Sequence, residues 1–409
     1  MMKTTRTEYG YRYIAADVKV SNDTFVTGQN NHDLICGPSG KGKTGGYVNP
    51  NLLNPSESML VVDTKGLLYR QHTENLKKKG FKVTVVDLLN PKNSTAGYNP
   101  LAYIRKDRRG NYSQKDIKSV VASIMFECHK DDPYWCMSAR KYLAMLVSYV
   151  LEFLPKKDRN MTAVVALHQE LCAGNMLDIL TVAADVKPNS MFAGSFKQVV
   201  GLKESAKTWA CVLDFASTAL DVYDVKELNV LWTKKTVEFK DLGREKQVLF
   251  INISDMDRTY DGILNLLYLQ ALEALVTEAD KNLNGRLKQP VRFIMDDFTS
   301  GAPIKDFDKI ISVIRSRDIS VSLIIQSLSQ LETLYGLGEA KTILNNCDHF
   351  LYLGGQDKDT MAYIADRINK PKHIIEKLPN DKAYLLSLGQ PYRLVDKIPP
   401  YSKVEDVAV

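Results

Sequence analysis

Cysteine is scarce and irregular in this chain: six among 409 residues, at Cys36, Cys128, Cys136, Cys172, Cys211 and Cys347, with no CxxC pair. That spacing excludes a disulfide framework or a zinc ribbon as the organising device and leaves reduced, mostly buried thiols as the expectation. Long hydrophobic runs are missing too. The most apolar segment, YLAMLVSYVLEFL from Tyr142 to Leu154, falls short of the roughly 20 residues that a membrane helix needs and reads as a core helix. The opening MMKTTRTEYGYRYIAADVKV carries no apolar stretch of the signal-peptide kind. A cytoplasmic protein is therefore expected. No internal repeat or low-complexity tract interrupts the sequence, which argues against repeat architectures. Charge of one sign is hardly in excess: the net +6 suits an anionic partner without requiring one.

What the sequence does contain is a broken α/β alternation. The apolar fraction of 44% is ordinary for a globular chain, and the length suits two domains. MLVVD ends at Asp63 and FKVTVVD ends at Asp87, each a β-branched run followed by a helix-like segment. Then the alternation stops. From about Ala102 to Glu238 only helical periodicity is found, as in DIKSVVASIMFECHK, WCMSARKYLAMLVSYVLEFL and AKTWACVLDFASTAL, with turns at Pro155 and Pro188. Strand-like runs return at Gln247–Ser254, Val291–Asp297, Val321–Gln326 and His349–Gly355. The order predicts a mainly parallel sheet in an α/β domain made of residues 31–101 and 239–409, interrupted by an all-α insertion at 102–238. Residues 1–30 read as lead-in strands, and the tail as a closing hairpin turning near Gly389–Gln390.

The segment LICGPSGKGKTGGYVNPNLL carries the chemistry. Gly37, Gly42, Lys43 and Thr44 satisfy G-x-x-x-x-G-K-[ST], between the short strand DLIC and a helix-like stretch. In such a loop the backbone N–H groups of Gly37, Pro38, Ser39, Gly40, Lys41 and Gly42 (proline excepted) wrap phosphates. Lys43 reaches the β- and γ-phosphates, and the Thr44 hydroxyl ligates Mg²⁺. ATP and Mg²⁺ are the expected ligands. A second carboxylate is needed at the end of a neighbouring strand, and FIMDD supplies it: Asp296 as the metal-side acid, Asp297 as the candidate base. The alternative for the pair is a strand-end turn with a helix cap. Gln326 closes the next strand, where an amide can touch the γ-phosphate or the attacking water. Arg315 and Arg317 lie between those strands, either as an arginine finger for a neighbouring subunit or as salt-bridged surface residues.

Taken together, GPSGKGKTGGYVNPNLL, VVDTKGLLYR, VTVVDLLNP, DDPYWCMSARKYL, FINISDMDRTYDGILNLLY, IMDDF and SVIRSRDISVSLIIQSLSQLETLYG follow the order seen in type IV secretion coupling proteins. These are the TraG/TraD-type ATPases of bacterial conjugation, and the resemblance runs from about Asn31 to Lys397. It implies a RecA-like motor, a hexameric ring, and DNA with its relaxase delivered to a type IV secretion channel. By the same resemblance Lys43 and Thr44 match the phosphate loop, Asp296 the metal acid, Gln326 the sensing glutamine and Arg315 the trans-acting finger. Asp63 and Lys65 match a second motif beside the nucleotide. Three departures stand out. Asp297 replaces the usual glutamate, Leu67 replaces the acid that commonly follows KG, and the usual N-terminal membrane helices are missing. A separate membrane anchor, holding the protein peripherally at the inner face of the cell membrane, is the expectation that follows.

Other readings stay open at this point. An FtsK- or HerA-like DNA translocase shares the motor, and a nucleotide-gated relaxosome adaptor shares the loop. In the insertion, the aromatic pair of DDPYW (Asp131–Trp135) either stacks on DNA bases or anchors a core through Trp135. The basic groups KDRR, beside Arg105, and PKKDR at Pro155–Arg159 either meet phosphates or form solvated faces.

Overall fold

The computed structural model describes residues 9–125 and 133–399. The chain divides into two compact units, one of Met1–Asp87, Glu238–Met256 and Ala271–Val409, the other of Leu88–Val237 and Asp257–Gln270. The division read from the sequence ran 102–238 for the second of these. The structure starts that unit earlier and adds a later segment to it.

The first unit is built on runs that alternation alone cannot explain, because they are buried on both faces. Strands β1 (Tyr11–Ala15) and β2 (Val18–Ser21) come first, then β3 (Asp33–Cys36), β4 (Ser58–Asp63) and β5 (Lys82–Asp87). After the second unit's segment come β6 (Gln247–Asn252), β7 (Val291–Met295), β8 (Ile319–Ile325), β9 (His349–Tyr352), β10 (Lys382–Ser387) and β11 (Arg393–Asp396). Every residue of β3, β4, β6, β7, β8 and β9 is buried. Such continuous burial belongs to parallel strands with helices on both faces. Nine strands form one sheet in the order β11-β10-β9-β3-β8-β7-β4-β6-β5. The pairs from β9 to β5 are parallel, and β10 is antiparallel to both of its neighbours. The closing hairpin turns through Gly389 at φ 72°, as its sequence predicts.

The lead-in strands do not join that sheet. β1 and β2 form a two-stranded sheet of their own. Its inner residues Ile14, Ala15 and Val18 pack into the same core as Val48 and Leu52, which lie on the helix after the phosphate loop. Asn51 on that helix exchanges two hydrogen bonds of 2.9 Å with the backbone of Tyr13. The Ala16 N–H also donates to the Asp396 carbonyl at the sheet's β11 edge.

The second unit is helical. Its longest helix, Pro133–Phe153, buries Ala139, Tyr142, Leu146, Val147 and Val150. The apolar run from Tyr142 is thus a core helix. Around it lie Gln114–Ile124, Met161–Cys172, Leu177–Val186, Met191–Val200 and Ala206–Leu220. Ser113, Asn160, Ser190 and Ser205 each cap one helix by accepting from a backbone N–H in its first turn. Among the described residues the unit has only isolated bridges, Gly97 with Thr236 and Lys106 with Tyr112. Cys36, Cys172, Cys211 and Cys347 are free thiols. Cys136 departs from the expectation of reduced cysteines, being disulfide-bonded. Among the described residues no helix is long and apolar enough to cross a membrane.

Candidate functional site

Parallel strands deliver their following loops to one end of a sheet, which is where a ligand cleft forms in such folds. Here β3, β4, β7 and β8 end beside one another. The loop after β3 turns through Gly40 (φ 78°) and Gly42 (φ 89°), conformations that favour glycine. It runs into a helix that starts at Thr44 and contains Pro50. A proline inside a helix lacks a donor and crowds the carbonyl four residues back. The helix absorbs this with a widened turn at Thr44–Val48, closed by a hydrogen bond from the Asn49 N–H to the Thr44 carbonyl.

Ser39, Gly40 and Gly42–Gly45 of this loop line a cleft of about 540 Å³ together with Asp63, Asp296, Asp297 and Gln326. Lys43 is buried, its Nζ donating to the Gly37 carbonyl at 2.7 Å. The Thr44 hydroxyl donates to Asp296 Oδ2 at 2.7 Å. These two oxygens, 252 residues apart in sequence, are the pair a hard cation takes along with phosphate and water. Among the described residues no group of three or more His, Cys, Asp and Glu stands ready to cage a metal. The donor set therefore fits Mg²⁺ held partly by a ligand's phosphates. Burial pushes the Asp296 carboxyl up to about 6; the Thr44 hydrogen bond opposes that shift and the neighbouring Asp297 charge adds to it.

Asp297 takes φ 50°, a left-handed conformation uncommon outside glycine but tolerated by aspartate, and its N–H donates to Asp296 Oδ1 at 3.0 Å. The residue lines the cleft, where strained backbone is commonly held. Asp63 is a structural anchor: it accepts from the N–H groups of Lys65, Leu67 and Tyr69, tying down the start of the helix Leu67–Lys78. Lys65 reaches Asp255 at 3.5 Å across the cleft rim, both side chains largely exposed.

Some of the expected residues lie elsewhere. Lys41 points off the cleft and donates to Asn380 Oδ1 at 2.7 Å, and Pro38 packs beside Gly355. Arg315 is exposed just before β8, at the opposite end of that seven-residue strand from Gln326. That separation is about 20 Å, too far for Arg315 to serve its own cleft. Arg317 is a salt-bridged surface residue, paired with Asp280 at 2.8 Å.

In the helical unit, Tyr134 is exposed and Trp135 half-buried, their rings edge-on at 5.0 Å; Asp131 and Asp132 lie outside the described residues. Lys106 and Arg159, from the two basic groups, meet around Tyr112 in a cleft of about 780 Å³ that also takes in Lys187. Arg105 is instead committed to Asp116, a first-turn residue of its helix.

Sequence reasoning missed two features of the nucleotide cleft. Asp255 sits past the end of β6, a position that marks cleft residues in this fold class; it lies within the block FINISDMDRTYDGILNLLY, whose resemblance gave it no role of its own. The segment after β11 braces the loop from behind. Lys397 Nζ donates to the Leu353 carbonyl at 2.7 Å, and the Leu353 N–H donates to the Cys36 carbonyl at 2.8 Å. Burial, with a smaller contribution from Lys41, brings the Lys397 ammonium down to about 8.

The family described as Type IV secretory system Conjugative DNA transfer matches residues 3–370. The protein VirD4 of Agrobacterium fabrum is 22% identical over 350 residues, covering 84% of this chain and 50% of its own length. VirD4 of Rhizobium rhizogenes is likewise 22% identical, covering 85% and 50%. The chain thus spans about half the length of the curated relatives it matches. Among solved structures, the conjugative coupling protein TrwBdeltaN70 superposes with a TM-score of 0.68 at 15% identity, covering 98% of this chain and 92% of that one. TrwB in complex with ADP and Mg²⁺ gives 0.66 at 16% identity, covering 99% and 93%. The chain thus shares the RecA-like fold of these structures, and it belongs to the Type IV secretory system Conjugative DNA transfer family.

Proposed function

We propose that this chain is an ATP-hydrolysing motor of conjugative DNA transfer, a coupling protein that takes DNA and its relaxase to a type IV secretion channel. One observation carries the reading: Thr44 and Asp296, brought from distant segments to 2.7 Å, share a cleft with Lys43, Asp297 and Gln326. Lys43 would bind the β- and γ-phosphates, and Thr44 and Asp296 would hold Mg²⁺, which supplies charge neutralisation on the phosphates when bound. Asp297, held beside that pair, would orient or deprotonate the attacking water, and Gln326 would contact the γ-phosphate. A nucleotide with Mg²⁺ is what the TrwB complex contains, which supports ATP and Mg²⁺ as the ligands here.

Active assembly is a homo-hexamer in this reading, with Arg315 serving a neighbour's cleft. The cations Lys106, Arg159 and Lys187 support contact between the helical unit and DNA phosphates. A separate membrane partner would bring the motor to the inner face of the cell membrane. The test is phosphate release by the purified chain with and without single-stranded or duplex DNA. Release stimulated by DNA and abolished by Lys43→Ala supports the motor. Nucleotide binding with no release in any condition would instead favour a nucleotide-gated adaptor. Loss of strand transfer in cells carrying Lys43→Ala, with the relaxase still nicking, would place the motor in conjugation rather than in chromosome processing.

A further inference from the structure

The strands that carry the cleft begin in a cluster of buried charge. Asp33 opens β3, and Arg12 of β1 holds it with two hydrogen bonds, Nε to Oδ2 at 2.8 Å and Nη2 to Oδ1 at 3.0 Å. Arg292 of β7 donates to Asp33 Oδ2 at 3.2 Å and to Ser322 Oγ of β8 at 3.0 Å, while its Nε meets Glu57 at 2.6 Å. Tyr47, on the helix after the phosphate loop, completes the set: its hydroxyl lies 2.6 Å from Asp33 Oδ2 and 2.7 Å from Ser322 Oγ. Arg12, Asp33, Tyr47 and Arg292 are each 1% exposed and Glu57 2%. Burial alone would raise the Asp33 carboxyl, but Arg12 and Arg292 overcome it and keep it at about 2.

A buried ion cluster of this kind contributes little net stability against an apolar replacement, because desolvating its charges offsets their attraction. What it does supply is position. β3, β7 and β8 are the strands whose far ends carry the phosphate loop, Asp296 and Gln326. Asp33 begins the strand that enters the loop, and Tyr47, one turn beyond Thr44, lies on the helix that leaves it. A single carboxylate therefore ties both ends of the loop together. Its main clamp, Arg12, comes from the small N-terminal sheet, which grips the same helix again through Tyr13 and Asn51.

We infer that Arg12 and Tyr47 are positioning residues for the nucleotide cleft, acting through Asp33 to set where Lys43 and Thr44 stand relative to Asp296. The inference rests on the hydrolytic reading above. It makes the N-terminal hairpin a working part of the nucleotide site rather than a lead-in to it.

The full chain is compared with Tyr47→Phe, which removes one oxygen from the buried cluster, and with Arg12→Lys, which keeps the charge but not the two-pronged grip. Hydrolysis with Mg²⁺ gives kcat and KM, a fluorescent ADP analogue gives affinity without turnover, and a thermal melt gives the folded fraction. Tyr47→Phe is expected to stay folded at the assay temperature, hold ADP with little change, and lose about tenfold in kcat, the scale on which supporting partners of site residues act. Arg12→Lys is expected to move in the same direction. Wild-type kcat in a folded Tyr47→Phe protein overturns the inference, as does a loss that only follows the unfolded fraction. In either case a parent chain that hydrolyses ATP leaves the function itself standing. A parent that neither binds the ADP analogue nor hydrolyses ATP overturns the function and this inference together.

Discussion

Asp296 is ionised at a cost. Its carboxyl titrates at about 6 in the folded chain against 3.8 for an ordinary aspartate, chiefly because it is buried. The folded state therefore keeps a proton that the unfolded chain has already lost, and stability falls as pH rises through that window. Below 3.8 the cost is absent; above about 6 it is fully present. Asp296→Asn should accordingly stabilise the protein by about 3 kcal/mol at pH 8 and by little at pH 4, while removing hydrolysis. Urea melts at the two pH values check this, and equal gains at both would show that the carboxyl is not perturbed. Asp297 bears a different strain, its φ of 50°. Asp297→Gly and Asp297→Val both remove the carboxylate and should abolish turnover alike. They should part in stability, with valine about 1 kcal/mol or more below glycine, because a β-branched residue fits the left-handed region poorly. Similar melts for the two would mean the conformation relaxes. Motif spacing in the sequence was enough to assign these residues to the cleft they line. It gave no sign of the backbone conformation, which falls just past the end of β7.

At the level of elements, the strands were readable because parallel, doubly covered strands are mostly apolar, as in MLVV, VLFI, FIM and LII. The phosphate-loop helix was readable only in part. Its widened first turn follows from Pro50, but the chain that packs behind it arrives from the far end of the sequence. A Cβ on Gly46 would stand 2.8 Å from the Ile398 carbonyl oxygen, too close to backbone for a side chain to yield. Gly46→Ala should therefore push the segment after β11 off the loop's helix. It should cost about 1–3 kcal/mol and weaken nucleotide binding along with it. Thermal melts and ADP-analogue titrations measure the two losses. A stable variant with parental affinity would show that this bracing is dispensable. The placement of the N-terminal hairpin was equally hidden, because side-chain bonds from Arg12 and Asn51 fix it and no periodicity records them.

For the whole molecule, the split arrangement of an α/β unit around a helical one was visible in the order of periodicities, although the helical unit also draws in Asp257–Gln270. That addition comes from the first part of a continuous helix, Asp261–Ala279, which no break in sequence marks. Arg315 stands a full strand length from its own cleft, and in the proposed oligomer it would serve the cleft of another copy. Specific activity should then rise with protein concentration and with DNA. Mixing Arg315→Ala with Lys43→Ala subunits should restore part of the hydrolysis that each lacks, and no recovery in verified mixed oligomers would assign Arg315 a structural role. How copies can meet is narrowed by the strand that ends the sheet. β11 has four residues, lies between Pro391 and Pro399, and has its last carbonyl already bonded to Ala16. Such a border is a poor template for further strand addition. In the assembly proposed above, copies meeting at this border would therefore not fuse into a continuous ribbon of sheet. Joints made there would rest on side chains, which ionic strength and ligands can loosen.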